Sequence, residues 1–296
     1  MVRASIIIPA LNEEKRLAHS LPVIRAQLNT LDELIVVDNG STDNTAEIAQ
    51  AHGAKVIMES VRNRSRSRNV GFKHSQGQYA VFLDGDCCPE ENWLESLLVP
   101  FADPSVGCVA GEICILNNTG ALQAYLSEKG YLSQAENFKH PFLPYAGGAN
   151  LAFRRSTLDV IGLFDERLFS GHDADLCWRM QLQTGSRIVL VPTAAVSHSQ
   201  NPSWRALFRQ KRRHAHGAVL LYKKYQSQRL NERRPLKQVY WEYRSILKRA
   251  GGLGWKLLKA DTASLKASIE DYQLLLEVAE KFGRIEGSLR HCIWFP

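Results

Sequence analysis

The chain has no run of about 18 consecutive apolar residues, the length that marks a bilayer-spanning helix. Met1-Val2-Arg3-Ala4 leads straight into a strand pattern, so neither a membrane span nor a signal peptide is expected. Cysteine is sparse: Cys87, Cys88, Cys108, Cys114, Cys177 and Cys292 form no Cys-x-x-Cys pair and have no histidine at zinc-finger spacing. That excludes a disulfide framework and a zinc module, and fits reduced thiols in a cytoplasmic protein. The first strand is not followed by Gly-x-Gly-x-x-Gly, and Gly-x-x-x-x-Gly-Lys-Ser/Thr occurs nowhere, which disfavours a dinucleotide fold and a P-loop. Internal repeats and low-complexity segments are also absent.

What is present is a chain of 296 residues, 45% hydrophobic, long enough for one large domain or a domain with an appendage. Its charge is unevenly placed. Residues 1–203 carry 17 basic and 22 acidic side chains, and residues 204–296 carry 20 and 8, giving −5 and +12 within the total of +7. An acidic body of residues 1–203 and a basic helical extension of residues 204–296 are therefore expected, the extension suiting an anionic partner.

Ser5-Ile6-Ile7-Ile8-Pro9 reads as a buried strand, and Leu17, Leu21, Ile24 and Leu28 follow at helical spacing. Leu34-Ile35-Val36-Val37 is a second strand ending at Asp38-Asn39-Gly40, with Ser41 to Asp43 supplying oxygen caps for the next helix. Alternating strands and helices predict a parallel sheet with helices on both faces, and ligands bind such sheets beyond the carboxyl ends of the strands. Tyr79-Ala80-Val81-Phe82-Leu83 is a further buried strand, closed by Asp84-Gly85-Asp86. On an extended segment Asp84 and Asp86 would face the same side, and two such carboxylates suit Mg²⁺ or Mn²⁺ completed by substrate phosphates. Between these strands Arg62, Arg64, Arg66 and Arg68 alternate, as suits the phosphates or base of a nucleotide.

Ile6 to Glu13, Val36 to Asp43, Arg68-Asn69-Val70-Gly71 and Phe82 to Asp86 resemble, in order and spacing, the motifs of family 2 inverting glycosyltransferases with the GT-A fold. The resemblance continues to about residue 200. Pro144 to Arg155 is similar to the family's glycine-containing strand beside the donor sugar, and Gly162 to Glu166 with Gly171 to Arg179 resembles the acidic motif that carries the catalytic base. The resemblance implies an α/β GT-A nucleotide-binding fold, a mostly parallel sheet flanked by helices, with a C-terminal helical extension. It implies inverting transfer from a nucleoside diphosphate-sugar, UDP favoured, to an acceptor hydroxyl on a glycan or lipid-linked precursor. Asp173 takes the place of the base. Pro9, Ala10, Asn12, Glu13, Asp38, Arg68, Asp84 and Gly148 fall at donor positions, and Asp86 with His198 at the Mn²⁺ or Mg²⁺ position. His172 stands where the family usually has glutamate. On physical grounds Asp173 lies near a helix N-terminus, and Asp175 reads as an ion-pair partner of Arg179 four residues on.

From Trp204 the pattern is helical. Gln210 to His214 resembles in part the Gln-x-x-Arg-Trp motif of processive members, with His214 in place of tryptophan, which counts against polymer extrusion. Tyr240, Trp241, Tyr243, Ile246 and Leu247 interleave with Lys237, Arg244, Lys248 and Arg249, and Gly251-Gly252-Leu253-Gly254 reads as a break. Leu265, Ile269, Tyr272, Leu276 and Ala279 form an apolar stripe for packing. The basic and aromatic segment fits an anionic membrane surface on the cytosolic side ahead of single-stranded nucleic acid. Two rival readings stand beside sugar transfer: a sugar nucleotidyltransferase, whose glycine- and lysine-rich phosphate loop is missing, and a non-catalytic nucleotide-sugar binder, for which His172 is the hint.

Overall fold

A computed structural model describes residues 2–115, 126, 129–199, 203–228, 236–259 and 269–295. They fall into two compact units, one drawn from residues 1–117 and 127–200, the other from residue 201 onward together with Leu126.

The first unit begins with β1 (Ala4–Ala10), α1 (Glu14–Gln27), β2 (Asp32–Asp38), α2 (Thr45–Ala51), β3 (Lys55–Met58), α3 (Arg64–Lys73) and β4 (Tyr79–Leu83). It continues through β5 (Cys87–Pro89), α4 (Trp93–Leu98), β6 (Val106–Ile115), α5 (Gln134–Asn137), β7 (Asn150–Arg154), α6 (Arg155–Ile161), α7 (His172–Thr184) and β8 (Arg187–His198). The strands form one eight-stranded sheet in the order β3-β2-β1-β4-β7-β6-β8-β5. The β3–β2, β2–β1, β1–β4 and β6–β8 pairs are parallel, and β4–β7, β7–β6 and β8–β5 antiparallel. The expected mostly parallel, helix-flanked sheet is thus observed.

Alternation of side chains between two covered faces explains why β1 is apolar from Ile6 to Ile8. Ile6 and Ile8 pack with Leu17, Leu21 and Ile24 of α1, while Ile7 packs on the opposite face with Phe72, Phe82 and Phe153. Three strands, β3, β5 and β6, escape a periodicity reading, and β5 is only three residues long. β3 is a short edge strand with Lys55 and Met58 exposed. β6 is interrupted by Gly107 and Gly111, and a Cβ at Gly111 would collide with the Ala194 carbonyl and the Asn150 amide. Close packing there requires glycine.

Register sets the rim on which chemistry can be built. The carboxyl ends of β1, β2 and β4 lie together, and antiparallel β7 brings Asn150 opposite Leu83, so the segment entering β7 reaches the same rim.

The second unit contains α8 (Trp204–Tyr225), α9 (Leu236–Lys259) and α10 (Ile269–Arg290). Leu276 and Ala279 of the apolar stripe are buried; Leu265 lies outside the described residues. Gly283 lets α10 close onto the Arg212 carbonyl of α8. Gly251 to Gly254 do not break the chain, because α9 runs through them. A helix-interior glycine costs only about 1 kcal/mol, which the flanking helical sequence outweighs. Among the described residues no helix is long and apolar enough to cross a membrane.

Candidate active site

The loops leaving β1 and β2 are laced together. Asn12, in the left-handed region at φ 56°, donates its backbone N–H to Ser41 Oγ (2.9 Å) and accepts from the Thr42 N–H (2.8 Å). Glu13 donates its N–H to Thr45 Oγ1 (2.9 Å), and the Ala10 carbonyl accepts from the Asn39 N–H (2.8 Å). Asp38 is buried and accepts from the Ser41 N–H (2.8 Å), closing the turn. Pro9, Ala10, Asn12, Glu13 and Asp38 therefore form one shelf. Glu13 lies beside Gly85, where an added Cβ would sit 3.3 Å from its Cγ. Burial raises the Glu13 carboxyl above the ordinary carboxylate range against the opposing bond from Arg16.

Arg68 is the hub of the next cluster. It is 1% exposed, and its Nη2 donates to Asp84 Oδ1 (2.7 Å) while its Nη1 donates to Asp173 Oδ1 (3.1 Å). Its Cζ lies 5.3 Å from the centroid of the Phe164 ring. The α3 cap holds it there: Asn63 accepts from the Arg66 N–H (3.1 Å), and Asn69 bonds the Phe164 carbonyl and amide. Two more of the alternating arginines meet acids, Arg64 pairing with Asp84 and Arg66 with Glu59, while Arg62 reaches the Gly40 carbonyl (3.5 Å). Burial opposes ionisation of Asp84, but Arg64 and Arg68 outweigh it and lower its pKa.

Asp84 and Asp86 diverge, which corrects the extended geometry read from sequence. The Cys87 N–H donates to the Asp84 carbonyl (3.0 Å), so residues 84–87 form a tight turn instead of an extended strand end. Asp84 turns to the arginines and Asp86 to His198, with Asp86 Oδ1 3.2 Å from His198 Nε2. Antiparallel pairing of β5 with β8 sets Cys87 opposite His198.

Asp173 occupies the second position of α7, a helix N-terminus that favours a carboxylate. Burial disfavours its charge; His172, then Arg68, and bonds from His172 and the Gly148 backbone override that and hold the carboxyl well below its ordinary range. Gly148 must lack a side chain, because a Cβ there would lie 2.7 Å from Asp173 Oδ1 and 2.8 Å from Arg68 Cζ. Asp175 is fully buried and pairs with Arg179 (2.9 Å), as its spacing predicts.

The arrangement can hold a divalent cation. Asp86, Cys87 and His198 each present a ligand atom within 4.8 Å of the others. His198 is 5% exposed, and its Nδ1 has no hydrogen-bond partner among the described residues. A carboxylate with an imidazole suits Mn²⁺. Burial and the charges of Asp86 and Asp84 push the Cys87 thiol well up, so it stays protonated and is a poor third ligand. Sequence reasoning missed Cys87, the immediate neighbour of a candidate ligand. It also missed Gln134, fully buried, which exchanges two hydrogen bonds with Gly147 (2.8 and 3.1 Å) and so fixes the segment before Gly148. No local pattern marks a glutamine so distant in sequence from the strand it braces.

The family model described as Glycosyl transferase family 2 matches residues 5–162, more than half of the chain. The chain belongs to this family. Asp173 and His198 lie beyond the matched span. Similar curated proteins include the pre-mycofactocin glycosyltransferase of Mycobacterium tuberculosis, 32% identical over 213 residues that make up 68% of this chain and 43% of that protein. Glycosyltransferase AglE of Haloferax volcanii is 31% identical over 179 residues, 57% of this chain and 58% of that one. The chain thus spans about half the length of these curated relatives. Among solved structures, the mannosyltransferase PcManGT from Pyrobaculum calidifontis, in complex with GDP-Man and Mn²⁺, superposes with TM-score 0.65 at 18% identity, covering 96% of this chain and 86% of that one. Glucosyl-3-phosphoglycerate synthase from Mycobacterium tuberculosis, in complex with Mg²⁺ and uridine diphosphate, gives 0.56 at 19% identity over 75% and 79%. The family 2 chain therefore has the GT-A fold.

Proposed function

We propose that this family 2 chain transfers one sugar from a nucleoside diphosphate-sugar to an acceptor hydroxyl with inversion at the anomeric carbon. The observation that carries the reading is Arg68, which joins Asp84 of the β4 turn to Asp173 of α7 within one buried cluster. Donor recognition falls to the shelf of Pro9, Ala10, Asn12, Glu13 and Asp38, with Arg68, Asp84 and Gly148 along its inner edge. Asp86 and His198 would hold the Mn²⁺ or Mg²⁺. A divalent cation there supplies neutralisation of the charge that develops on the leaving diphosphate.

Asp173 accepts the acceptor proton as the hydroxyl oxygen attacks across the sugar from the leaving group, and inversion follows from that single displacement. Arg68 and the α7 N-terminus keep Asp173 ionised and aimed. With its carboxyl held so low, the proton arrives only as the C–O bond forms and the hydroxyl becomes acidic. GDP-Man in one GT-A neighbour and UDP-Glc in another show that both a guanosine and a uridine donor occur among them. Arg68 faces Asp84 and Asp173, so the preference for uridine rests here on Asp38. The acceptor is a glycan or lipid-linked hydroxyl met at an anionic membrane surface on the cytosolic side, and the basic residues 204–296 form the part suited to that surface.

Release of UDP or GDP from a panel of nucleotide sugars, with Mn²⁺, Mg²⁺ or EDTA, tests the reading against Asp173→Asn. Metal-dependent release of one nucleotide, lost in the variant, is the expected result. Donor binding without transfer to any acceptor would favour a non-catalytic binder, and no binding of any nucleotide sugar would overturn the proposal.

A further inference from the structure

The surface of α9 is divided by chemistry. Val239, Glu242, Tyr243, Ile246 and Arg249 recur on one side of the helix, and all of them are engaged: Val239 and Ile246 are buried, Glu242 pairs with Lys281 (2.9 Å), and Arg249 with Glu277 (2.6 Å). Glu242 is the only acid in α9 and faces inward. The opposite side carries Lys237, Tyr240, Trp241, Arg244, Leu247 and Lys248, all exposed, with Tyr240 at 58%, Trp241 at 52% and Leu247 at 71%. At 100° per residue these six fall within an arc of about 120°. Arg244 stacks over the Trp241 ring at 5.2 Å. Three basic residues, two aromatic rings and a leucine thus share one solvent face with no acid among them.

We infer that this face of α9 docks on an anionic lipid bilayer, the helix lying in the interface plane. Aromatic rings with polar edges sit at headgroup depth, Leu247 reaches the acyl boundary, and Lys237, Arg244 and Lys248 meet lipid phosphates. Charge rules out a second copy, since the same face repels itself. Single-stranded nucleic acid would use the rings and the bases but gives no role to an exposed aliphatic residue. The same helical unit presents a second apolar stripe on α10, Phe282 at 58%, Ile285 at 43% and Leu289 at 75% exposed, at spacings of three and four. Aliphatic exposure of that kind suits hydrocarbon and not a polynucleotide. The inference deepens the lipid-linked reading above by naming the surface that meets the membrane.

The test is co-sedimentation of the full chain with phosphatidylcholine vesicles and with vesicles containing phosphatidylglycerol, without donor or acceptor, so that its failure is separable from failure of the transferase assignment. Binding to the anionic vesicles only is expected. Arg244→Glu with Lys248→Glu should abolish it, and Trp241→Ser with Leu247→Ser should weaken it by about tenfold or more. All four positions are exposed, so equal melting temperatures and equal donor turnover are expected of the variants. No binding to anionic vesicles, binding unaltered in both variants, or binding of single-stranded oligonucleotide in place of vesicles would overturn the inference.

Discussion

The guanidinium of Arg68 and the carboxylate of Asp84 meet at 2.7 Å in a site where Arg68 is 1% exposed. A buried ion pair is costly to form, because desolvation offsets the attraction, but removing one partner leaves an uncompensated charge. Arg68→Ala strands Asp84 and Asp173 together. The expected loss is about 3–5 kcal/mol in urea unfolding. Arg68→Lys should recover only part of it, since one ammonium cannot reproduce the two directed donors. An unchanged midpoint in Arg68→Ala would show that the cluster does not hold the rim together.

Asp173 gives a signed pH prediction. Its folded-state pKa lies below the unfolded value of about 3.9. A depressed carboxyl contributes stability that is fully present above the unfolded pKa and is lost as pH falls through the folded one. The gap in melting temperature between the native chain and Asp173→Asn should therefore be widest above about pH 5 and close as pH drops below about 4. A gap that stays constant into acid would mean that the carboxylate is not stabilised by its neighbours.

Much of this site can be read directly in the sequence. Ile6 to Ile8 of β1, Leu34 to Val37 of β2 and β4 are continuous apolar runs because both faces of the sheet are covered, and the ends of β2 and β4 name Asp38 and Asp84 without any structure. The orientation of Asp84 and Asp86 is not legible, because it depends on the tight turn at residues 84–87 and on where Arg68 lies after α3 has packed. β6 is hidden by the glycines that let Ala194 and Asn150 close in. Gln134 and Cys87 acquire meaning only through contacts made across the sheet and its loops.

Cation dependence should separate Asp86 from Asp84. Asp86 carries a carboxyl raised by burial against the charge of His198, with Asp84 adding to the rise, so it gains most from a cation. His198→Ala removes the imidazole and should weaken Mn²⁺ binding by about 10–100-fold while narrowing the preference for Mn²⁺ over Mg²⁺. Asp86→Asn should abolish the metal dependence of donor binding. Calorimetric titration of Mn²⁺ in the presence of nucleotide reads both, and undiminished affinity in His198→Ala would remove that residue from the metal shell.

Gly148→Ala tests how closely the β7 approach is fitted. The added methyl would meet Asp173 Oδ1 at 2.7 Å and Arg68 at 2.8 Å, both inside van der Waals contact. Arg68 is fully buried and cannot retreat, so Asp173, with 24% of its side chain exposed, is the group that moves. The expected result is a fall in turnover of about a hundredfold with donor affinity changed much less, since a base displaced by an ångström loses its alignment. Loss of donor affinity with turnover unchanged would place Gly148 in donor binding alone.

His172 holds the last degree of freedom. Its Nε2 lies 3.1 Å from Arg68 Nη1 and 3.2 Å from Asp173 Oδ1, while Nδ1 faces the Leu168 carbonyl at 3.3 Å. With Nδ1 donating to Leu168, a neutral ring must accept at Nε2 from Arg68, whereas a protonated ring must donate at Nε2 to Asp173. The two states compete for the same atoms, so protonation of His172 takes an acceptor from Arg68 and hands a donor to the candidate base. Glutamine occupies similar space and can bond either partner, but it carries no charge. His172→Gln should therefore fold with little loss of stability and leave donor KM unchanged, while its kcat falls because Asp173 loses the imidazole that faces its Oδ1. An unchanged kcat would show that the imidazole acts as a packing residue only.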